Sequence, residues 1–192
     1  MTDLNKSEFR QQAFRVRNNI KNRSRKSANI RARIAGHAKF QTAQSVLLYV
    51  SMRSEVVTRQ IINDLLATNK KKVFIPYCDG DRLQIFPLLG WDQLERKSFG
   101  VLEPKAEFLR STDVKNDPIE LTIVPGVAFD HELNRVGYGK GYYDKLFSQT
   151  LPDSYRLAIA FTEQIFENVP NTALDIPMHE ILTEDGSLIV EP

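Results

Sequence analysis

The sequence has a single cysteine and no run of about eighteen apolar residues. One cysteine cannot close a disulfide within the chain or build a cysteine-rich metal site. The absence of a long apolar run leaves no candidate transmembrane helix, and the first residues, "MTDLNKSEFRQQ", lack the apolar core of a signal peptide. We therefore expect a cytoplasmic protein that does not contact a membrane.

The cysteine and the histidines offer no evident catalytic or metal site. Cys78 lies in the strand-like stretch "KKVFIPYCDG", where we expect a small buried hydrophobic residue. The spacing of residues in the sequence identifies no partner base of the kind that a nucleophilic cysteine needs. His37 and His131 lack ligand spacing, and we assign neither a role. Internal repeats and low-complexity segments are also absent.

The charge is small overall but unevenly distributed. The 192 residues are 42% hydrophobic and carry a net charge of +2, which suits a single domain spanning residues 1–192. Residues 1–33 hold ten lysines and arginines against two acidic residues, leaving sixteen basic against twenty-two acidic residues elsewhere. We predict a basic helical segment, about residues 1–40, packed on a mildly acidic body. Such a segment can contact nucleic acid, a polyphosphate ligand, or only solvent and the body.

The apolar periodicity alternates between helix and strand. Helical spacing predicts a helix over residues 3–20 with Asp3 as a possible cap, a second helix over 27–40, a third over 59–69 capped by Thr58, and a short one over 141–149. Apolar runs predict strands at 45–51, 71–78, 82–89, 121–129 and 155–162, and a final pair around the Asp185-Gly186 turn. This pattern predicts an α/β fold, Rossmann-like, with a mostly parallel sheet covered by helices on both faces.

One stretch, "RVGYGKGYYDKL", follows a predicted strand and opens a predicted helix. Open α/β sheets place their ligand crevice at such strand ends. Alternating glycines allow the backbone amides to form an anion-binding nest, and Arg135 and Lys140 would add charge for phosphate. Asp144 could hold a magnesium ion beside it. The spacing fits neither a Walker A loop nor GxGxxG. On the glycines alone, a tight turn with stacked tyrosines is therefore as good an interpretation as a nucleotide site.

The longer stretch "PGVAFDHELNRVGYGKGYYDKL" resembles the signature of the 5-formyltetrahydrofolate cyclo-ligase family. Three further segments agree in order: "KSEFR", "YVSMRSEVVT" and "GVLEP". The resemblance therefore extends from about Lys6 to Thr183.

The resemblance implies a reaction in which ATP and 5-formyltetrahydrofolate give 5,10-methenyltetrahydrofolate, ADP and phosphate, with Mg²⁺ required. The formyl oxygen would attack the γ-phosphate to give an imidate-type phosphate, and a folate nitrogen would then close the ring. The enzyme has to position the reactants and neutralise phosphate charge. The partner would be a small molecule, possibly polyglutamylated, and the protein a monomer or dimer.

The resemblance also implies roles for individual residues. It assigns ATP binding to Lys6, Ser7, Glu8, Phe9 and Arg10 and to the loop Arg135, Val136, Gly137, Tyr138, Gly139, Lys140, Gly141, Tyr142 and Tyr143. It assigns folate binding to Val50, Met52 and Glu55, and catalysis to Glu55, Arg135, Lys140 and Tyr143.

The magnesium ligands would be Asp144 and Asp175. The segment "LDIPMHEILTE" departs from the family pattern, because Leu174 and His179 stand where histidine and aspartate are usual. Asp175 therefore matches the first of the two usual aspartates, and the second is missing. We expect His179 to be a local structural polar group.

Simpler readings stay open for these residues. Lys6 and Arg10 could form a solvated basic face, and Asp144 could be a helix-start carboxylate favoured by the helix dipole. Taken without the resemblance, Glu55 reads as a surface loop carboxylate and Val50 as a core residue. Two other functions also stay open, a nucleic-acid-binding module that uses the basic segment and a nucleotide-binding regulatory homologue without the chemistry.

Overall fold

A seven-stranded sheet forms the centre of the computed structural model, which describes residues 5–97, 100–109 and 118–190. The strand order is β12-β11-β9-β6-β1-β2-β3. Neighbours from β11 to β2 pair in parallel, and β12 and β3 add antiparallel edges. The strands are β1 Ser45–Leu48, β2 Lys72–Asp79, β3 Arg82–Pro87, β6 Leu121–Val124, β9 Tyr155–Ile159, β11 Glu180–Leu182 and β12 Ser187–Leu188. The predicted α/β fold with a mostly parallel sheet is confirmed.

Smaller elements complete the described chain. A three-stranded sheet has the order β10-β7-β8, and a separate hairpin pairs β4 with β5. These strands are β4 Leu94–Arg96, β5 Leu102–Pro104, β7 Ala128–Asp130, β8 Arg135–Val136 and β10 Ile165–Phe166. The helices are α1 Lys6–Asn19, α2 Arg23–Gly36, α3 Ala38–Thr42, α4 Arg59–Thr68, α5 Ala106–Leu109 and α6 Tyr142–Gln149. No helix among the described residues is long and apolar enough to cross a membrane.

The core lies on both faces of the main sheet. Successive residues of β1 point to opposite faces: Val46 and Leu48 belong to a cluster with helices α2 and α4, and Leu47 belongs to a second cluster with α6. Every residue of β1 and β6 is buried. The continuous apolar runs of these strands are therefore what a sheet covered on both faces requires.

Several predicted element boundaries were wrong. Helix α1 begins at Lys6 and is capped by Asn5, whereas Asp3 lies outside the described residues. The predicted 27–40 helix is two helices separated at His37, whose backbone is extended. Thr58 precedes α4 but does not cap it, because its hydroxyl donates to the carbonyl of Tyr49, 2.6 Å away.

The stretch "LTIVPGVAF" is two strands and not the single predicted strand. Strand β6 ends at Val124, and β7 begins at Ala128 in the three-stranded sheet. Pro125 cannot donate a ladder hydrogen bond, and the ring of Phe129 lies against the backbone of Gly126 so closely that a Cβ atom there would be 2.2 Å from it. At this break the chain leaves the main sheet and continues beyond the carboxyl ends of its parallel strands.

The prediction for Cys78 was also wrong, because this residue is exposed. It pairs with Leu83 in the outer part of the β2–β3 hairpin, at the edge of the main sheet. Burial along β2 decreases from Ile75 to Asp79. The end of the hairpin reaches α6, where the Tyr142 hydroxyl donates to the carbonyl of Gly80, but the Cys78 side chain stays exposed.

Candidate active site

The candidate site lies where the chain direction across the sheet reverses. From β1 the chain adds β2 on one side, and from β6 it adds β9 and then β11 on the other side. A ligand crevice is expected beyond the carboxyl ends of the two strands that flank such a switch point. The loop after β1 contains Glu55, and the chain after β6 leads to the glycine-rich loop, residues 137–141.

Glu55 connects these two loops. Its Oε2 accepts a hydrogen bond from the Met52 amide at 2.9 Å, and its Oε1 accepts one from the Tyr138 hydroxyl at 2.7 Å. The residue is only 7% exposed, so the surface-carboxylate reading was wrong. Burial raises the pKa of Glu55, although the bonds from Met52 and Tyr138 and the nearby charge of Arg17 oppose this rise.

The other predicted folate residues lie in the same loop as Glu55. Val50 and Met52 follow β1 and are partly buried. Val50 packs against the larger apolar cluster, so it can offer an apolar surface to a ligand and also contributes to the core.

Arg135 and Asp144 form an ion pair at the start of α6. Nη2 of Arg135 lies 3.2 Å from Oδ2 of Asp144, and the Arg135 guanidinium lies 5.4 Å from the ring centre of Tyr143. Nε of Arg135 is buried without a hydrogen-bond partner, so one donor of this cation stays available for an acceptor. Burial raises the pKa of the Tyr143 hydroxyl well above its ordinary value, which keeps this side chain neutral.

The glycine-rich loop has the backbone geometry that its sequence predicted. Gly139 and Gly141 have positive φ values of 99° and 63°, and Gly141 is the N-cap position of α6. Tyr138 and Lys140 are exposed as whole residues, although the Tyr138 hydroxyl reaches inward to Glu55.

The basic face of α1 lies against this loop. Nε of Arg10 donates to the carbonyl of Gly137 at 2.8 Å, and a Cβ atom on Gly139 would lie 3.1 Å from the Arg10 guanidinium carbon. Lys6 forms an ion pair with Asp175 at 2.6 Å. Arg10 therefore lies beside the loop and Lys6 beside the predicted metal ligand Asp175, so neither belongs to a separate solvated face.

The remaining predicted α1 residues have local contacts. The amides of Ser7 and Glu8 donate to the side chain of Asn5, and the Glu8 carboxylate accepts from the Asn5 amide, so these residues form a capping box. Phe9 packs edge-on against Phe166 with ring centres 5.2 Å apart. These side chains start and anchor the helix that carries Lys6 and Arg10.

The two predicted magnesium ligands lie close together. Oδ1 of Asp144 accepts a hydrogen bond from the amide of Ile176, the residue after Asp175. Burial acts to raise the pKa of Asp175, but hydrogen bonds from Lys6 and Thr172 outweigh it and lower the pKa. Within the described ranges no group of three or more histidine, cysteine or acidic side chains could hold a metal ion. A Mg²⁺ ion that is held mainly by nucleotide phosphates and water needs only one or two carboxylates, and those of Asp144 and Asp175 are here paired with Arg135 and Lys6.

Comparison with known proteins gives the family. A family model described as the 5-formyltetrahydrofolate cyclo-ligase family matches residues 3–184. The chain belongs to this enzyme family. The 5-formyltetrahydrofolate cyclo-ligase of Mus musculus is 28% identical over 85% of each chain, and a probable 5-formyltetrahydrofolate cyclo-ligase of Schizosaccharomyces pombe is 31% identical over 76% of this chain and 78% of the relative. An NMR structure of Aquifex aeolicus 5,10-methenyltetrahydrofolate synthetase matches with a TM-score of 0.82 and 27% identity, covering 98% of this chain and 94% of that one.

The cyclo-ligase signature includes a structural residue, Asp130. This buried side chain accepts hydrogen bonds from the amides of Glu132, Asn134 and Val169. Asp130 therefore shapes the turn between β7 and β8 and ties it to the chain after β10. The Ala-Phe-Asp part of the signature therefore supports the turn that leads to the glycine-rich loop.

Sequence reasoning missed Arg17. This buried arginine of α1 donates to Ser54, to the carbonyl of Gly126 and to the Tyr138 hydroxyl. A signal was present, because Arg17 shares the apolar stripe of the helix with Ala13 and Ile20. A cation at a core position of an amphipathic helix indicates a buried polar partner.

The histidines contact groups away from the glycine-rich loop. His179 is bonded to Arg156 through backbone and side chain, and His37 lies 2.9 Å from Glu180. These residues cluster at the first residues of β9 and β11, the opposite end of the sheet from the candidate site. His131 is exposed in the β7–β8 turn.

Proposed function

We propose that this cyclo-ligase family member converts 5-formyltetrahydrofolate to 5,10-methenyltetrahydrofolate and consumes ATP. The observation that carries the proposal is the 2.7 Å hydrogen bond between Tyr138 and Glu55. It joins the glycine-rich loop, assigned to ATP, to the carboxylate assigned to folate. A phosphoryl group and a formyl group bound at these two places would be neighbours, as direct transfer requires.

The proposed chemistry has two steps. The formyl oxygen of the substrate attacks the γ-phosphorus of ATP, the bond to the β-phosphate oxygen breaks, and ADP leaves. The neighbouring folate nitrogen then attacks the activated carbon, gives up its proton and closes the ring, and phosphate leaves with the former formyl oxygen. Phosphorylation converts a poor leaving group into a good one, so the protein has to supply position and charge stabilisation.

The described contacts support a division of roles. Lys6, Arg10 and the amides of residues 137–141 would bind the ATP phosphates, and the unpartnered Nε of Arg135 would offer a further donor. Asp144 and Asp175 would hold Mg²⁺, which when bound offsets phosphate charge. Glu55 would accept hydrogen bonds from the folate, and Val50 and Met52 would line its apolar side. Lys140 is exposed, so we assign it contact with ATP and no essential step.

A cyclisation assay tests the proposal. Protein, Mg²⁺, ATP and 5-formyltetrahydrofolate should together produce the near-ultraviolet absorbance of methenyltetrahydrofolate. Omitting ATP or Mg²⁺ should abolish the signal. No turnover by folded protein would overturn the proposal, and ATP binding without turnover would favour a regulatory homologue.

We further propose that residues 1–192 act as one cyclo-ligase domain in the cytoplasm, as a monomer or dimer. Sedimentation at working concentration tests the oligomeric state, and microscopy of a tagged full chain tests the location. The proposed cyclisation of 5-formyltetrahydrofolate requires neither a nucleic acid nor a membrane as a partner.

A further inference from the structure

Arg17 joins three segments of the proposed site from inside the protein. The residue is only 1% exposed. Its guanidinium donates to Ser54 Oγ at 3.1 Å, to the carbonyl of Gly126 at 2.9 Å and to the Tyr138 hydroxyl at 2.8 Å. These partners belong to the loop after β1, the break after β6 and the glycine-rich loop. Each of the three guanidinium nitrogens therefore donates to a different segment of the proposed site.

The aromatic contacts of Arg17 add to this anchoring. The guanidinium carbon lies 5.1 Å from the ring centre of Phe14 and 5.4 Å from that of Tyr138. The two rings are themselves 5.3 Å apart. A planar cation that stacks on rings and donates in fixed directions restrains both the Tyr138 ring and its hydroxyl, which a lysine ammonium does less well.

The hydrogen bonds from Arg17 through Tyr138 to Glu55 have one direction. A guanidinium has donors only, so the Tyr138 oxygen accepts from Arg17 and its proton is donated to Oε1 of Glu55. The Met52 amide donates to Oε2. Glu55 is thus held as an acceptor, and each of its oxygens keeps a second acceptor position for a ligand.

We propose that Arg17 is a positioning residue of the cyclo-ligase reaction, which orients the Tyr138 hydroxyl so that Glu55 presents an ionised carboxylate to N–H groups of the folate substrate. This inference rests on the proposed function. Since Tyr138 belongs to the ATP loop, the same contact links the position of that loop to the folate acceptor.

The charged and titratable groups around Glu55 set the expected pH dependence. Arg17 comes from α1, Arg53 from the same loop, Tyr49 from the end of β1, Tyr138 from the glycine-rich loop and Tyr143 from α6. Arg17 and Arg53 lower the pKa of Glu55 against the effect of burial. Loss of the Arg17 charge should raise that pKa further, so acid should abolish folate binding at a higher pH.

Binding measurements without turnover test the inference. We would compare Arg17→Met, Tyr138→Phe, the double variant and a matched control, Arg15→Met, since Arg15 is an exposed arginine of the same helix. The measurement is the calorimetric Kd of 5-formyltetrahydrofolate without ATP, from mildly acidic to neutral pH. Each single site variant should bind about tenfold more weakly, in line with loss of a hydrogen bond to a charged group. The double variant should lose no more affinity for 5-formyltetrahydrofolate than the single variant that binds more weakly.

The control and the conservative variant make the result specific. Arg15→Met should match the wild type, and Arg17→Lys should bind with an affinity between those of the wild type and Arg17→Met. The acid limb of binding should move to higher pH in Arg17→Met only if Arg17 acts through Glu55, because a general packing defect would leave the limb in place.

Three results would overturn the inference: an unchanged Kd and pH profile in Arg17→Met, losses in the two single variants that add in the double variant, or an unchanged Kd in Tyr138→Phe. The last result decides the matter even if Arg17→Met does not fold. A wild type that binds folate without cyclising it contradicts the proposed function and leaves this test valid. A wild type that does not bind folate overturns both.

Discussion

At the scale of single residues, the ion pair of Arg135 and Asp144 bears on both the stability of the fold and the proposed site. Their side chains are 5% and 16% exposed, so water screens the pair little. Removal of one partner from an enclosed pair leaves an uncompensated charge, which destabilises more than loss of a surface pair. Asp144 is therefore a member of an enclosed ion pair as well as a proposed metal ligand.

We predict that Asp144→Asn lowers both turnover and stability. The free energy of unfolding should fall by about 1–3 kcal/mol, because Arg135 loses its charged partner. Chemical denaturation and the cyclisation assay measure the two effects. Asp81→Asn is the control, since Asp81 is paired with Lys145 on the surface and its loss should change neither quantity measurably. Full activity of Asp144→Asn would refute the metal assignment.

Two buried glutamates should respond to pH with opposite signs. Burial raises the pKa of Glu55. Burial would also raise the pKa of Glu180, but hydrogen bonds from Ser187, His37 and Tyr155 outweigh it and lower the pKa. Ionisation of Glu55 therefore costs stability on folding, whereas ionisation of Glu180 contributes stability.

The variants Glu55→Gln and Glu180→Gln test this sign difference. As pH rises above about 4.3, the ordinary glutamate pKa, the wild type should lose stability relative to Glu55→Gln until the raised pKa is passed. Relative to Glu180→Gln, the wild type should have the larger free energy of unfolding above that pH. This difference should disappear as the pH falls through the lowered pKa of Glu180. Denaturation at a series of pH values measures both, and parallel curves for the two variants would contradict the prediction.

At the scale of elements, the break between β6 and β7 determines where the signature lies. Pro125 and Gly126 end a fully buried strand, and the chain then forms the β7–β8 hairpin before the glycine-rich loop. Gly126 also receives hydrogen bonds at its carbonyl from Arg17 and Gln164. The turn is therefore held by packing of Phe129 on one side and by two side-chain donors on the other.

Gly126→Ala should destabilise the protein through this contact. The added Cβ atom would meet the Phe129 ring at 2.2 Å, which forces a shift in a packed region and should cost about 1–3 kcal/mol. Gly36→Ala at the end of α2 is the control, because nothing lies within 4 Å of a Cβ atom there. Thermal unfolding should separate the two variants, and equal melting temperatures would contradict the packing argument.

At the scale of the whole molecule, the basic segment is bound to the rest of the chain by specific contacts. Lys6 pairs with Asp175, and Lys26 pairs with Glu163 and Glu184. Arg33 donates to the carbonyl of Glu184. Of the three expected uses of this charge, these contacts support packing against the acidic body.

Mg²⁺ and ATP should therefore stabilise the whole molecule through α1. At a ligand concentration about a hundredfold above Kd, binding adds about 2.7 kcal/mol. A thermal shift assay should show a clear rise in the melting temperature of the wild type and a smaller rise in Lys6→Met, which would lack the proposed phosphate contact. Lys21→Met, on an exposed residue after α1, is the control and should behave as the wild type. An equal rise in Lys6→Met would remove this residue from the ATP site.

Periodicity predicted the α/β class and most elements because buried strands and amphipathic helices impose repeats that a sequence displays directly. It failed at boundaries that depend on distant partners. The side chain of Thr58 donates to the carbonyl of Tyr49, and Cys78 lies in the outer, exposed part of its hairpin. Neither effect is encoded in the neighbouring residues.

The sequence by itself determined the class of fold, the family resemblance and the glycines that allow positive φ, because these depend on local patterning and on residue type. Only the tertiary structure decided that Glu55 is buried, that it is bonded to Tyr138, and that Arg17 holds both loops. Glu55 and Tyr138 are 83 residues apart. A hydrogen bond of that kind depends on how β1 and β6 lie side by side, which follows from packing of the whole sheet and not from either segment alone.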